Sequence, residues 1–169
     1  GNPWRQPFEN RPGGTWNLAA DGPTVFALDD AGDSISRLWY NTKIGNDFKA
    51  TYAYDDPAHY RHMPLCSDLM VRCYAAIGSN SAFGARLTKY GIAYEGWVYA
   101  NGRMEIVRIA ADGTPQTLAE GHADVSQTRL FRFANADHVI RLEYGASKID
   151  CDLGRDPDAA GTARHIEPV

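Results

Sequence analysis

Apolar and polar residues alternate along almost every segment of this chain, so the dominant period is two rather than 3.6. Turn residues interrupt the pattern about every eight to twelve positions, the spacing of short antiparallel strands. The alternation predicts strands at 15–19, 24–28, 36–40, 47–54, 68–76, 82–88, 92–99, 103–110, 116–119, 128–134, 138–144 and 148–152, with a further one at 163–167. Between them stand Asp21-Gly22, Asp30 to Gly32, Asn101-Gly102, Asp112-Gly113, Asn135 to Asp137 and Gly145. Each offers a positive φ or an Asx turn at low cost. No segment of ten or more residues carries a helical period. Many short strands with almost no helix predict an all-β fold, an antiparallel β-sandwich or jelly roll.

The clearest local expectation is a hairpin at Asn101-Gly102. A two-residue type I′ turn there would pair Tyr99 with Met104, Trp97 with Ile106 and Glu95 with Arg108. Glu105 would then fall on the opposite face, across from Val98. Three stretches are irregular: 2–14, 55–64 and 154–162. No internal repeat and no low-complexity tract divides the chain. One domain over 1–169 is expected, with 1–14 and 153–162 as irregular flanks. The opening Gly1-Asn2-Pro3-Trp4 reads as part of a larger protein.

Composition narrows the partners. Of 169 residues, 17 are Lys or Arg and 21 are Asp or Glu, for a net charge of −4. Without a basic block, nucleic acid and anionic membrane surfaces are not expected partners. The longest apolar run, Cys73 to Ile77, is far short of a membrane span. Cys66, Cys73 and Cys151 are too few for a disulfide scaffold and lack zinc-ligand spacing, although Cys66 and Cys73 could close a small loop.

Five chemistries come into question for these residues. His59, Tyr60, Arg61 and His62, just after Asp55 and Asp56, could remove a proton beside a sugar carboxylate in a β-elimination lyase. The two aspartates with loop carbonyls could instead hold Ca²⁺, but neither spacing is diagnostic and the stretch reads first as a solvated loop pinned by its aromatics and prolines. A glycosidase needs two carboxylates in one cleft, and the hairpin register above splits Glu95 from Glu105. No G-x-S-x-G elbow or Ser–Lys dyad is legible. Trp97 and Tyr99, with Arg72 and Tyr74, could form a flat aromatic platform for sugar rings, with Glu95 and Arg108 at its polar edge. In a sandwich such aromatics more often cover the sheet or touch a neighbouring domain. No catalytic residue, metal site or cofactor is expected.

Two stretches carry a resemblance. Ser67 to Cys73, followed by Phe83 to Leu87, Ile92 to Tyr99 and Met104 to Arg108, has the rhythm of a laminin-G or concanavalin-like jelly roll. Arg132-Phe133-Ala134-Asn135-Ala136-Asp137 with Leu142, then Lys148 to Asp152, resembles the R-F-x-N-x-D hairpin of the β domain inserted in type I signal peptidases of planctomycete-like bacteria. That resemblance spans roughly residues 36 to 152. It implies a non-catalytic insert of a membrane-anchored, extracytoplasmic parent, because the catalytic dyad of such peptidases is not among these residues.

The expectation is therefore a non-catalytic accessory domain on the extracytoplasmic side. Its partners would be the rest of the parent protein and, in the alternative, a glycan. A polysaccharide lyase built on the 59–62 loop is the weaker alternative.

Overall fold

The computed structural model describes residues 5–29, 32–50, 57–66, 68–89 and 91–154. The chain divides into two compact units, Gly1–Cys66 and Ser67–Val169. In the first, strand β1 (Phe8–Asn10) pairs antiparallel with β2 (Leu38–Tyr40). This unit is held by rings rather than by a deep apolar core. Phe8 stands edge-on to Phe26 and to Tyr40, each at 5.4 Å, and Tyr40 tilts against Phe48 at 5.1 Å. The expected strands at 15–19 and 24–28 reduce to one bridge, Asn17 to Ala27, and of 47–54 the described part holds one bridge, Lys49 to Leu65. A 3₁₀ helix, η1 (Pro57–His62), occupies the expected loop.

The second unit is an antiparallel β-sandwich compatible with a jelly roll. One sheet is the meander β4 (Ala82–Lys89), β5 (Ile92–Tyr99), β6 (Arg103–Ile109) and β7 (Pro115–His122). The other holds the meander β8 (Arg129–Ala136), β9 (Val139–Tyr144) and β10 (Ser147–Asp152), with β3 (Leu69–Ala75) beside β8. Alternation explains the layers. Phe131, Phe133, Ile140, Leu142 and Tyr144 point inward from one sheet, and Tyr94, Val98, Met104 and Ile106 from the other, all essentially without exposure. Phe83 and Phe131 meet edge-to-face across the core at 4.9 Å. The buried Tyr144 hydroxyl is satisfied by the carbonyls of Ala75 at 2.9 Å and Gln127 at 3.2 Å.

Polar contacts finish one end of this unit. The Lys89 ammonium is buried and donates to Asp68 Oδ1 at 2.9 Å and to the Asp137 carbonyl at 2.5 Å. A buried ammonium is tolerated only with such partners. Cys66 and Cys73 are free thiols, and burial pushes the Cys73 thiol up. The strand expected at 163–167 lies outside the described residues.

Candidate functional site

The outer face of the β4–β7 sheet is built by a register that differs from the expected one. Trp97 pairs with Glu105, Glu95 with Val107, and Tyr94, not Glu95, with Arg108. The loop between β5 and β6 has three residues, not two. Gly102 N–H donates to the Tyr99 carbonyl at 2.8 Å, and Gly102 then takes φ +86°, a left-handed value that a side chain resists. Shifting the pairing by one residue moves Glu105 to the other face of the sheet. Glu95 and Glu105, expected on opposite faces, are diagonal neighbours on the same one.

Three cross-strand rows make up this face. Arg86, Glu95 and Val107 form one, Gly84, Trp97, Glu105 and Glu120 the next, and Ala82, Tyr99, Arg103 and His122 the third. Both central carboxylates are buried although they lie on the outward side, each 8% exposed. Each of their four oxygens accepts a hydrogen bond. Glu95 Oε1 accepts from Arg86 Nε at 2.7 Å and its Oε2 from the Trp97 indole N–H at 2.9 Å. Glu105 Oε1 accepts from the Tyr99 hydroxyl and its Oε2 from Arg103 Nη1 at 2.6 Å. Arg103 also lies 3.6 Å from Glu120 and stacks over the Tyr99 ring at 4.1 Å. Burial and the Glu105 hydrogen bond push the Tyr99 phenol up to about 12.

Gly84 explains how Trp97 is seated. A Cβ at residue 84 would meet the indole at 2.5 Å (Cε3) and 2.7 Å (Cδ2), so the ring covers this glycine. The adjacent strand thus provides a bare patch on which the indole rests. Beside the third row, Asn101 and Gly102 with His122, Asp124, Val125 and Ser126 line an open concavity of about 490 Å³. His122 Nε2 lies 3.0 Å from the Asn101 carbonyl.

The other residues expected to form a site are dispersed. Arg72 and Tyr74 lie on β3, on the outward side of the other sheet, and do not join Trp97. Arg108 is on the inward side of β6, and its Nε is buried with no hydrogen-bond partner among the described residues. Asn135 of the late hairpin is fully buried, and neither end of its amide is bonded among the described residues. His59, Tyr60, Arg61 and His62 lie on η1 in the first unit. There the Tyr60 hydroxyl donates to Asp47, and Lys49 donates to the carbonyls of Tyr60 and Arg61, each at 2.9 Å. Asp47 raises the Tyr60 phenol, the opposite of what a phenolate base needs. Asp55 and Asp56 lie outside the described residues.

Arg86, Arg103 and Gly84 are the site residues that sequence reasoning passed over, and Glu105 is the one it placed on the opposite face. A signal for them existed. On β5 and β6 the residues that suit a core are Tyr94, Val98, Met104 and Ile106, and only the three-residue loop puts all four on one side. Among the described residues no group of three or more His, Cys, Asp or Glu is gathered as a metal site, and no helix is long and apolar enough to cross a membrane. Comparison with known proteins finds no matching family model, no similar curated protein and no similar solved structure.

Proposed function

We propose that this chain is a non-catalytic accessory domain whose working surface is the outer face of β4–β7. One observation carries the reading: both buried carboxylates are committed to an arginine and an aromatic donor. A general acid must turn its proton toward a substrate, and a nucleophile must turn an oxygen toward the atom it attacks. Glu95 and Glu105 instead act as anchors that hold Trp97, Tyr99, Arg86 and Arg103 in fixed positions. The likeness of 132–152 to the hairpin of inserted signal-peptidase domains adds an extracytoplasmic address and a membrane-anchored parent to the proposal. The test is to incubate the full chain with signal-bearing preproteins and with a polysaccharide panel. No turnover is expected. Turnover abolished by Glu95→Gln or Glu105→Gln would overturn the reading.

A second reading of the same face is favoured by the seat of Trp97. An indole resting on Gly84, with its N–H fixed by Glu95, keeps little rotational freedom to lose on binding. Such a ring suits the apolar face of a sugar, with Arg86 and Glu120 at its polar rim. The partner in this reading is a glycan. Its signature is a saturable shift of the Trp97 indole N–H resonance, absent in Trp97→Phe. Silence across neutral and acidic glycans would retire it.

A further inference from the structure

We infer that the edge of β3 is a docking site for an extended acidic peptide segment, which adds as a further strand beside Leu69–Ala75. Among the described residues β3 is paired on one side only, by β8, and ends its sheet. An unpaired strand edge offers a row of backbone donors and acceptors to another chain. Proteins usually blunt such edges with a proline, a bulge or a very short strand. β3 has none of these: it runs seven residues, Leu-Met-Val-Arg-Cys-Tyr-Ala, in unbroken register with β8. Its outward side chains are Met70, Arg72 and Tyr74, with Met70 59% and Tyr74 75% exposed.

Charge selects the occupant. Arg72 sits directly across from Arg132, a like-charged pair on adjacent strands. Arg132 is compensated by Glu143 at 3.0 Å, but the Arg72 side chain makes no hydrogen bond or ion pair to any described residue. A carboxylate on a strand added at the open side would face Arg72 and supply the missing countercharge. A second copy of this chain fits worse. Arg72 is the midpoint of β3, so an antiparallel pairing centred on it would place Arg72 against its own copy. An incoming peptide would set alternate side chains against Met70 and Tyr74, an apolar and an aromatic contact on either side of the ion pair.

The probe is a synthetic peptide of about eight residues, alternating valine and threonine with a central glutamate, the length of an ordinary strand. It is titrated into the isotope-labelled full chain and followed by amide NMR. Shifts are expected to map to Leu69–Ala75. A twin with lysine in place of glutamate is expected to bind about tenfold more weakly, and a twin with central prolines not to bind. Arg72→Glu, which faces Arg132 with the favourable sign and so keeps the fold, is expected to invert the glutamate–lysine preference. Shifts centred elsewhere would overturn the inference. So would no binding at millimolar peptide, an unchanged preference in Arg72→Glu, or self-association through β3 without peptide.

Discussion

Trp97 rests on Gly84, and the space occupied by the indole is the space a Cβ at residue 84 would need. The two residues are direct cross-strand partners, so a side chain added at 84 must displace the ring. Gly84→Ala is expected to lift the ring, strain its bond to Glu95 and destabilise the chain by about 1–3 kcal/mol, the usual cost of overpacking. Urea denaturation gives the magnitude. A shifted Trp97 indole resonance in the folded variant locates it.

The Glu105 anchor has a pH signature. The Tyr99 phenol, ordinarily near 10, is held protonated to about 12 by burial and by Glu105. The unfolded chain therefore loses this proton first. Stability from this group is complete below pH 10 and falls as pH rises through the folded value. Tyr99→Phe is expected to remove that component of the alkaline decline. Ultraviolet titration of the phenols should lose a late-ionising group in the same variant.

Asp124 gives the mirror case at acid pH. Bonds from Ser126 and the Arg129 guanidinium hold its carboxyl down to about 2, against an ordinary 3.8. Its stabilising effect is present above 3.8 and is lost as pH falls through the folded value. Asp124→Asn is expected to flatten the stability curve across that interval, read from thermal melts at stepped pH. An unchanged curve would show that the turn does not depend on this charge.

Gly102 makes the three-residue loop possible, and a Cβ there would strike the His122 ring, and the Ala123 carbonyl at 2.6 Å. Gly102→Ala combines that collision with a left-handed φ, a backbone strain of about 1–3 kcal/mol. The expected outcome is a lowered melting temperature together with displaced resonances for His122.

Phe133 is fully buried at the centre of the sandwich. Phe133→Ala is expected to cost about 3–5 kcal/mol. Arg72→Ala, on an exposed side chain without a partner among the described residues, should change stability by less than about 0.5 kcal/mol. Paired denaturation curves check both.

Most of the sandwich was legible because alternation marks a strand whenever one of its faces is buried. The expected 92–99 coincides with β5, and 82–88, 103–110 and 138–144 differ from β4, β6 and β9 only by one residue at an end. The first unit was less legible, since its rings cluster across loops and its one ladder among the described residues, Phe8–Asn10 with Leu38–Tyr40, is three residues long. Within the β5–β6 hairpin the site was misread at a single point, the loop length. Asn-Gly suits both a two-residue turn and a three-residue loop, and that one-residue choice decides the side on which Glu105 emerges. The role of Gly84 could not be read either, because it depends on the ring opposite it.

The pairing of β3 with β8 sets an order of assembly. Arg72 and Arg132 are neighbours in space although 60 positions (132 − 72) separate them in the chain. The β4–β7 meander closes through short hairpins and needs nothing downstream, whereas β3 must wait until β8 has been synthesised. During translation a half-built sandwich therefore exists with one apolar sheet face uncovered. Closure by β8, carrying Phe131 and Phe133, is the step that covers that face. Chains truncated before residue 129 should accumulate as aggregates rather than as smaller folded domains.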